Sequence, residues 1–102
     1  MGLNIEQEQS PEQSLIRVSG EVDLYSSPEL RKTILKTVPS ARGAVAIDLS
    51  GVTYIDSSGV ATLVEGLRSA RKADTEFILV SPSAAVLQVL QLARLDSVFE
   101  VR

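Results

Sequence analysis

Four consecutive residues, Asp56-Ser57-Ser58-Gly59, offer the chain's most concentrated chemistry: one carboxylate, two hydroxyls and a glycine. They follow the segment from Asp48 to Ile55, and they precede Val60, Leu63, Val64 and Leu67, which recur at i, i+3, i+4 and i+7. That recurrence is one apolar stripe of an amphipathic helix. The quartet therefore reads as a tight polar turn opening a helix. A helix start carries unpaired N–H groups and the positive end of the macrodipole, which suits an anion. On one reading Asp56 or Ser57 is simply the N-cap, since these residue types dominate that position. On the other, the Ser57 hydroxyl accepts a phosphoryl group, whose charge the dipole and free amides would favour. The same dianion would repel Asp56 and alter any partner surface.

A second polar segment is Gly20-Glu21-Val22-Asp23, which reads as a strand end followed by loop charges. In a parallel sheet the carboxyl ends of neighbouring strands gather their loops on one edge. Asp23 is then expected near Ser57, forming a carboxylate pair with Asp56 around the hydroxyl. So few dispersed carboxylates do not make a metal site, and none is assigned.

The rest of the composition limits what these groups can do. The chain has 102 residues, no cysteine and no histidine. Disulfides, thiolate catalysis and cysteine-ligated zinc are excluded, and the usual general base is missing. A serine nucleophile would have to rely on lysine or a carboxylate, and no nucleophile-elbow motif is present, so no catalytic residue is assigned. A net charge of −3 and four aromatics, Tyr25, Tyr54, Phe77 and Phe99, give no footprint for nucleic acid. No apolar run approaches the roughly 20 residues needed to span a bilayer, and residues 1–10 are too polar for a signal peptide. Cytoplasmic residence without membrane insertion is the expectation.

The elements that must position these residues follow in order. Leu3 to Gln9 and Leu15 to Val18, around the turn Ser10-Pro11-Glu12-Gln13, read as an antiparallel hairpin. After a loop from Gly20 to Tyr25, Ser26, Pro28 and Glu29 have the spacing of a capping box with proline in the first turn. That helix runs to about Val38, with Leu30, Ile34, Leu35 and Val38 buried, and Pro39 to Gly43 end it. A central strand from Ala44 to Leu49 leads to the Asp56–Gly59 turn and a helix reaching about Ala73. Its last turns hold Arg68, Arg71 and Lys72, which complement the negative dipole end. Glu76 to Val80 is a strand, and Ser81-Pro82 opens a third helix with Val86, Val89, Leu90 and Ala93 on one face. Its wide apolar arc, with Leu87 and Leu92, reads mostly as burial, while an exposed fraction would suit a protein partner. A strand from Val98 to Val101 closes the chain.

The order β-β-α-β-α-β-α-β gives an α/β fold with a mixed, mostly parallel sheet of about five strands and three helices. Three helices averaging about 13 residues cover one sheet face more readily than both, so one face is expected to stay more open.

Gly20-Glu21-Val22-Asp23, Ile47-Asp48-Leu49, Val52 through Gly59 and Leu92 through Phe99 together resemble the STAS domain of bacterial anti-sigma factor antagonists. The resemblance spans residues 1–102 as one STAS domain. It implies partner switching: the unphosphorylated antagonist binds an anti-sigma factor that is also a serine kinase. ATP-dependent phosphorylation on serine then releases the complex, and a serine phosphatase reverses it. The family's phosphorylated serine maps onto Ser57, with Asp23 and Asp56 shaping kinase recognition and Ser58 and Gly59 completing the helix start. It requires no cofactor bound to the antagonist. The resemblance also extends, as the alternative, to small STAS subunits of lipid-transporting ABC transporters, which sit in the cytoplasm and bind the transporter's ATPase. The Asp56-Ser57 pair favours the switch.

Overall fold

A computed structural model describes residues 2–102. Two strands, β1 (Leu3–Gln9) and β2 (Gln13–Val22), form the antiparallel hairpin, paired from Leu3 with Gly20 to Gln9 with Ser14. Then come α1 (Ser27–Ser40), β3 (Ala44–Ile55), α2 (Ser57–Lys72), β4 (Phe77–Val80), α3 (Ala84–Leu92) and β5 (Glu100–Val101). The sheet order is β1-β2-β3-β4-β5, with every pair after the first parallel. This is the expected element order and the expected mixed sheet.

One apolar cluster explains why the elements assemble this way. Alternate residues of the strands, Ile16 and Val18, then Val45, Ile47 and Leu49, then Phe77 and Leu79, meet Leu30 and Ile34 of α1, Leu63 and Leu67 of α2, and Val86 and Leu90 of α3. Each fully buried side chain of this kind is worth about 1.5–3 kcal/mol relative to exposure. Strand alternation sends the intervening residues to the other side of the sheet. There Arg17 reaches Glu8 at 3.1 Å, Glu6 at 3.5 Å and Asp48 at 3.8 Å. Ala46 and Ile78, which also belong to the intervening set, are nonetheless buried.

Several boundaries differ from the sequence reading, each for a local reason. Strand β3 extends to Ile55 rather than ending at Leu49. Against β2 it carries one extra residue between Asp48 and Gly51 and another between Val52 and Tyr54. These bulges place Leu49, Val52 and Ile55 inward at intervals of three, so the strand loses its period of two. Strand β2 likewise runs through Val22, so Gly20-Glu21-Val22 is ladder and not loop.

Helix α1 passes through Pro39 and ends at Ser40, one turn short of Gly43. Ser26 makes no capping hydrogen bond to the helix, so the capping box does not form; its hydroxyl serves the preceding turn instead. Helix α3 is capped by Ser83, whose Oγ accepts from the Val86 N–H at 3.3 Å, and not by Ser81. Ser81 sits before Pro82 at φ 47°, outside the helix. Ala93 is the exposed C-cap of α3 and not part of its buried face. The last strand is confined to Glu100–Val101.

Candidate functional site

Parallel pairing of Val22 with Ile55 ends β2 and β3 side by side, and the next residue of each chain segment is an aspartate. Asp23 and Asp56 thus leave the same sheet edge on neighbouring strands. The Asp56 N–H donates to the Val22 carbonyl at 3.1 Å, so the two exits are joined.

Asp56 is the N-cap of α2, in extended conformation. Its Oδ1 accepts from the Ser58 N–H at 3.0 Å and the Gly59 N–H at 3.4 Å. It also accepts from the Ser58 hydroxyl at 2.5 Å. The Ser58 and Gly59 amides, expected to be free for an anion, are therefore already occupied by a carboxylate. What remains at this helix start is the Ser57 N–H and the macrodipole, with the Asp56 charge set against any second anion.

Ser57 is the first helical residue and is exposed. Among the described residues, none exchanges a hydrogen bond with its hydroxyl. Ser58 is half-buried and tied to Asp56, so the two adjacent serines differ sharply: one is braced, the other presented. Gly59 lets the helix start approach the strands this closely. A Cβ there would stand 2.7 Å from both Ile55 Cγ1 and Val22 Cγ1.

Asp23 turns its carboxylate onto its own loop, where Oδ1 accepts from the Tyr25 and Ser26 N–H groups, each at 2.9 Å. The Ser26 hydroxyl donates to the Glu21 carbonyl at 2.8 Å and accepts from the Asp23 N–H at 2.9 Å. The bond from the Ser26 backbone is the largest influence holding the Asp23 carboxyl below its ordinary value; desolvation opposes it, and the Ser26 hydroxyl and Tyr25 N–H reinforce it. Gly20, at φ 98°, adopts a backbone that suits glycine. A Cβ at Gly20 would also meet the Gly2 carbonyl oxygen at 2.2 Å.

Among the described residues neither expected carboxylate is hydrogen-bonded to the Ser57 hydroxyl. Both aspartates share the edge with Ser57, but each carboxylate is committed to its own turn. Among the described residues no group of three or more carboxylates could hold a metal ion.

Sequence reasoning missed two neighbours of the site. Leu24 and Tyr25 project from the Asp23 loop at 67% and 90% exposure. Their signal was two apolar residues in a polar loop that continue neither the strand nor the helix pattern.

Comparison with known proteins adds relatives to this geometry. Residues 5–100 match a family model described as "Mlab, STAS domain". An anti-sigma-B factor antagonist of Listeria monocytogenes is 29% identical over 104 residues, covering all of this chain and 90% of that protein. The crystal structure of an anti-sigma factor antagonist from Mycobacterium paratuberculosis superposes with a TM-score of 0.88 at 29% identity, over 98% of this chain and 85% of that one. The Bacillus cell fate determinant SpoIIAA, solved in its phosphorylated form, gives a TM-score of 0.75 at 23% identity, over 97% and 91%. Among the described residues no helix is long and apolar enough to cross a membrane.

Proposed function

The chain belongs to the STAS domain family, and from that premise we propose that it is an anti-sigma factor antagonist switched by phosphorylation of Ser57. Residues 1–102 act as one STAS domain that works in the cytoplasm. Unphosphorylated, it binds an anti-sigma factor that is also a serine kinase; phosphorylated, it is released, and a serine phosphatase resets it. The observation carrying this reading is the exposed, unbonded hydroxyl of Ser57 at the start of α2, directly after Asp56. The Listeria and Mycobacterium relatives, both anti-sigma factor antagonists, support the antagonist role.

The chemistry assigns this chain the part of acceptor rather than enzyme. Ser57 Oγ attacks the γ-phosphorus of ATP held by the kinase, the new O–P bond forms, and the bond to the ADP oxygen breaks. The hydroxyl proton needs an acceptor. Asp56 is engaged with Ser58 and two amides, and the chain has no histidine. The base therefore comes from the kinase. Once attached, the dianion stands beside Asp56 at a surface that Asp23, Ser58 and Gly59 shape, and like-charge repulsion there weakens the partner's hold. Hydrolysis by the phosphatase returns the hydroxyl and inorganic phosphate.

The second reading is a transporter role, binding the ATPase of a lipid-transporting ABC system; the family model that matches is the one described as "Mlab, STAS domain". Intact-protein mass of the chain isolated from its native cell, with peptide mapping, separates the two. One added phosphoryl group on Ser57, lost in Ser57→Ala, is the expected result. An unmodified chain under several growth conditions that co-purifies with an ATPase and permease would overturn it.

A further inference from the structure

At the opposite end of the molecule from Ser57, a polar cleft lies between edge strand β1 and helix α1. On the cluster-facing side of β1, Leu3 and Ile5 pack against the core, but the next two residues of that row are Gln7 and Gln9. With no apolar side chains to close against α1, a cleft of about 350 Å3 remains, lined by both glutamines, Lys32, Thr33, Lys36 and Thr37 among others. It continues past Gln9 and Ser40 into a hollow of about 410 Å3 bordered by Arg42.

What sets the cations here apart is their surroundings rather than their lack of partners, which Arg68, Arg71, Lys72 and Arg94 share among the described residues. Lys32, Lys36 and Arg42 have no carboxylate within 4 Å among the described residues, whereas Arg17, Arg31 and Arg102 are all paired. No aspartate or glutamate lines either hollow, although the chain's net charge is −3. Lys32 and Lys36 are four residues apart on one helix face, a like-charge spacing that disfavours the helix in the absence of a counter-ion.

The cleft floor is also built rather than incidental. Thr37 is buried, and its hydroxyl donates to the Thr33 carbonyl at 2.7 Å with Gln7 Oε1 at 3.4 Å. The negative end of α1 would repel an anion, but it is blunted. The Ser40 hydroxyl donates to the Thr37 carbonyl at 3.1 Å, and the Ala41 N–H donates to the Val38 carbonyl at 3.3 Å.

We infer that this cleft binds a polyvalent phosphate group, held by Lys32, Lys36 and Arg42. Lysine is a point-charge partner for phosphate, and arginine adds directed donors. The group is carried either by a soluble polyphosphate or by a phosphomonoester lipid headgroup. The site is independent of Ser57 phosphorylation.

The test uses the full chain with tripolyphosphate in one arm and phosphatidylcholine vesicles with and without phosphatidic acid in the other. Calorimetry and amide chemical shifts read the first arm, and co-sedimentation reads the second. The expected result is binding that shifts Gln7, Thr33, Thr37 and Arg42 and weakens at least tenfold in the Lys32→Gln/Lys36→Gln variant. A control of equal charge change, Arg68→Gln/Arg71→Gln at the end of α2, retains binding. Binding in the first arm alone assigns a soluble ligand; dependence on phosphatidic acid alone assigns the headgroup. Absence of binding in both arms, or equal loss in the two variants, overturns the inference.

Discussion

The Asp56 N–H donates to the Val22 carbonyl at 3.1 Å, one residue beyond the last paired positions of β2 and β3. This bond extends the parallel ladder into the loops. Asp23 and Asp56 consequently leave the sheet from fixed neighbouring points, and α2 starts where the ladder stops. The position of Ser57 is therefore a property of the sheet as much as of its helix.

Asp56 is the residue on which the helix start depends most directly. Asp56→Ala removes the acceptor for two backbone amides and the Ser58 hydroxyl. Loss of such a cap costs about 1 kcal/mol, which for a domain of this size lowers Tm by roughly 4–8 °C. Asp56→Asn keeps one acceptor oxygen and is expected to lose less than half as much. Thermal unfolding of the three proteins checks this, and equal melting of wild type and Asp56→Ala would remove Asp56 from the cap.

Gly59→Ala reverses the ordinary ranking of helix formers. Alanine in a helix interior is favoured over glycine by about 1 kcal/mol, but here the new methyl meets Ile55 and Val22 side chains at 2.7 Å. Overpacking of this kind costs about 1–3 kcal/mol, so the variant is expected to unfold at lower urea with an unchanged m-value. A gain in stability would mean that α2 can move off the strand ends at no cost.

The Asp23 carboxyl is held below its ordinary value of 3.8, first by the Ser26 backbone N–H. A lowered folded-state pKa contributes stability that is complete above the unfolded value and is lost as pH falls through the folded value. Asp23→Asn keeps an acceptor oxygen for the Tyr25 and Ser26 amides without the charge. Wild type is thus expected to exceed Asp23→Asn in stability near neutrality and to converge with it below about pH 4. Urea midpoints across pH, with carbon-detected titration of the Asp23 carboxyl, measure both quantities. A carboxyl titrating at or above its ordinary value would contradict the turn geometry.

These residues also show how much could be read in advance. Element order, sheet type and the α2 start were legible because Val60, Leu63, Val64 and Leu67 repeat at helical spacing and because short β-branched runs bound them. The length of β3 was not. Two bulges convert its buried residues, Leu49, Val52 and Ile55, to a spacing that matches no strand template. The role of Ser26 was hidden for a different reason. The same hydroxyl can cap a helix or brace a turn, and only the tertiary path of Glu21 and Asp23 selects the brace. At the site, residue types marked the right segment, but the direction of each carboxylate depends on hydrogen bonds that no spacing encodes.

Ser57→Asp separates the charge of a phosphoryl group from its chemistry. At the first position of α2 an acidic side chain gains about 0.3–1 kcal/mol from the macrodipole. Repulsion from Asp56 offsets this, because that carboxylate already occupies the Ser58 and Gly59 amides. The opposing effects leave folding stability within about 0.5 kcal/mol of wild type, as for most exposed substitutions. Partner affinity responds differently, since the added charge faces outward where the hydroxyl was exposed. Under the proposed switch, the variant binds the anti-sigma factor at least tenfold more weakly than wild type, whereas Ser57→Ala binds it within twofold. Calorimetric unfolding and titration with the purified partner give both numbers. Wild-type affinity in Ser57→Asp would show that charge at this position does not release the partner, and the switch would then have to act elsewhere on the surface.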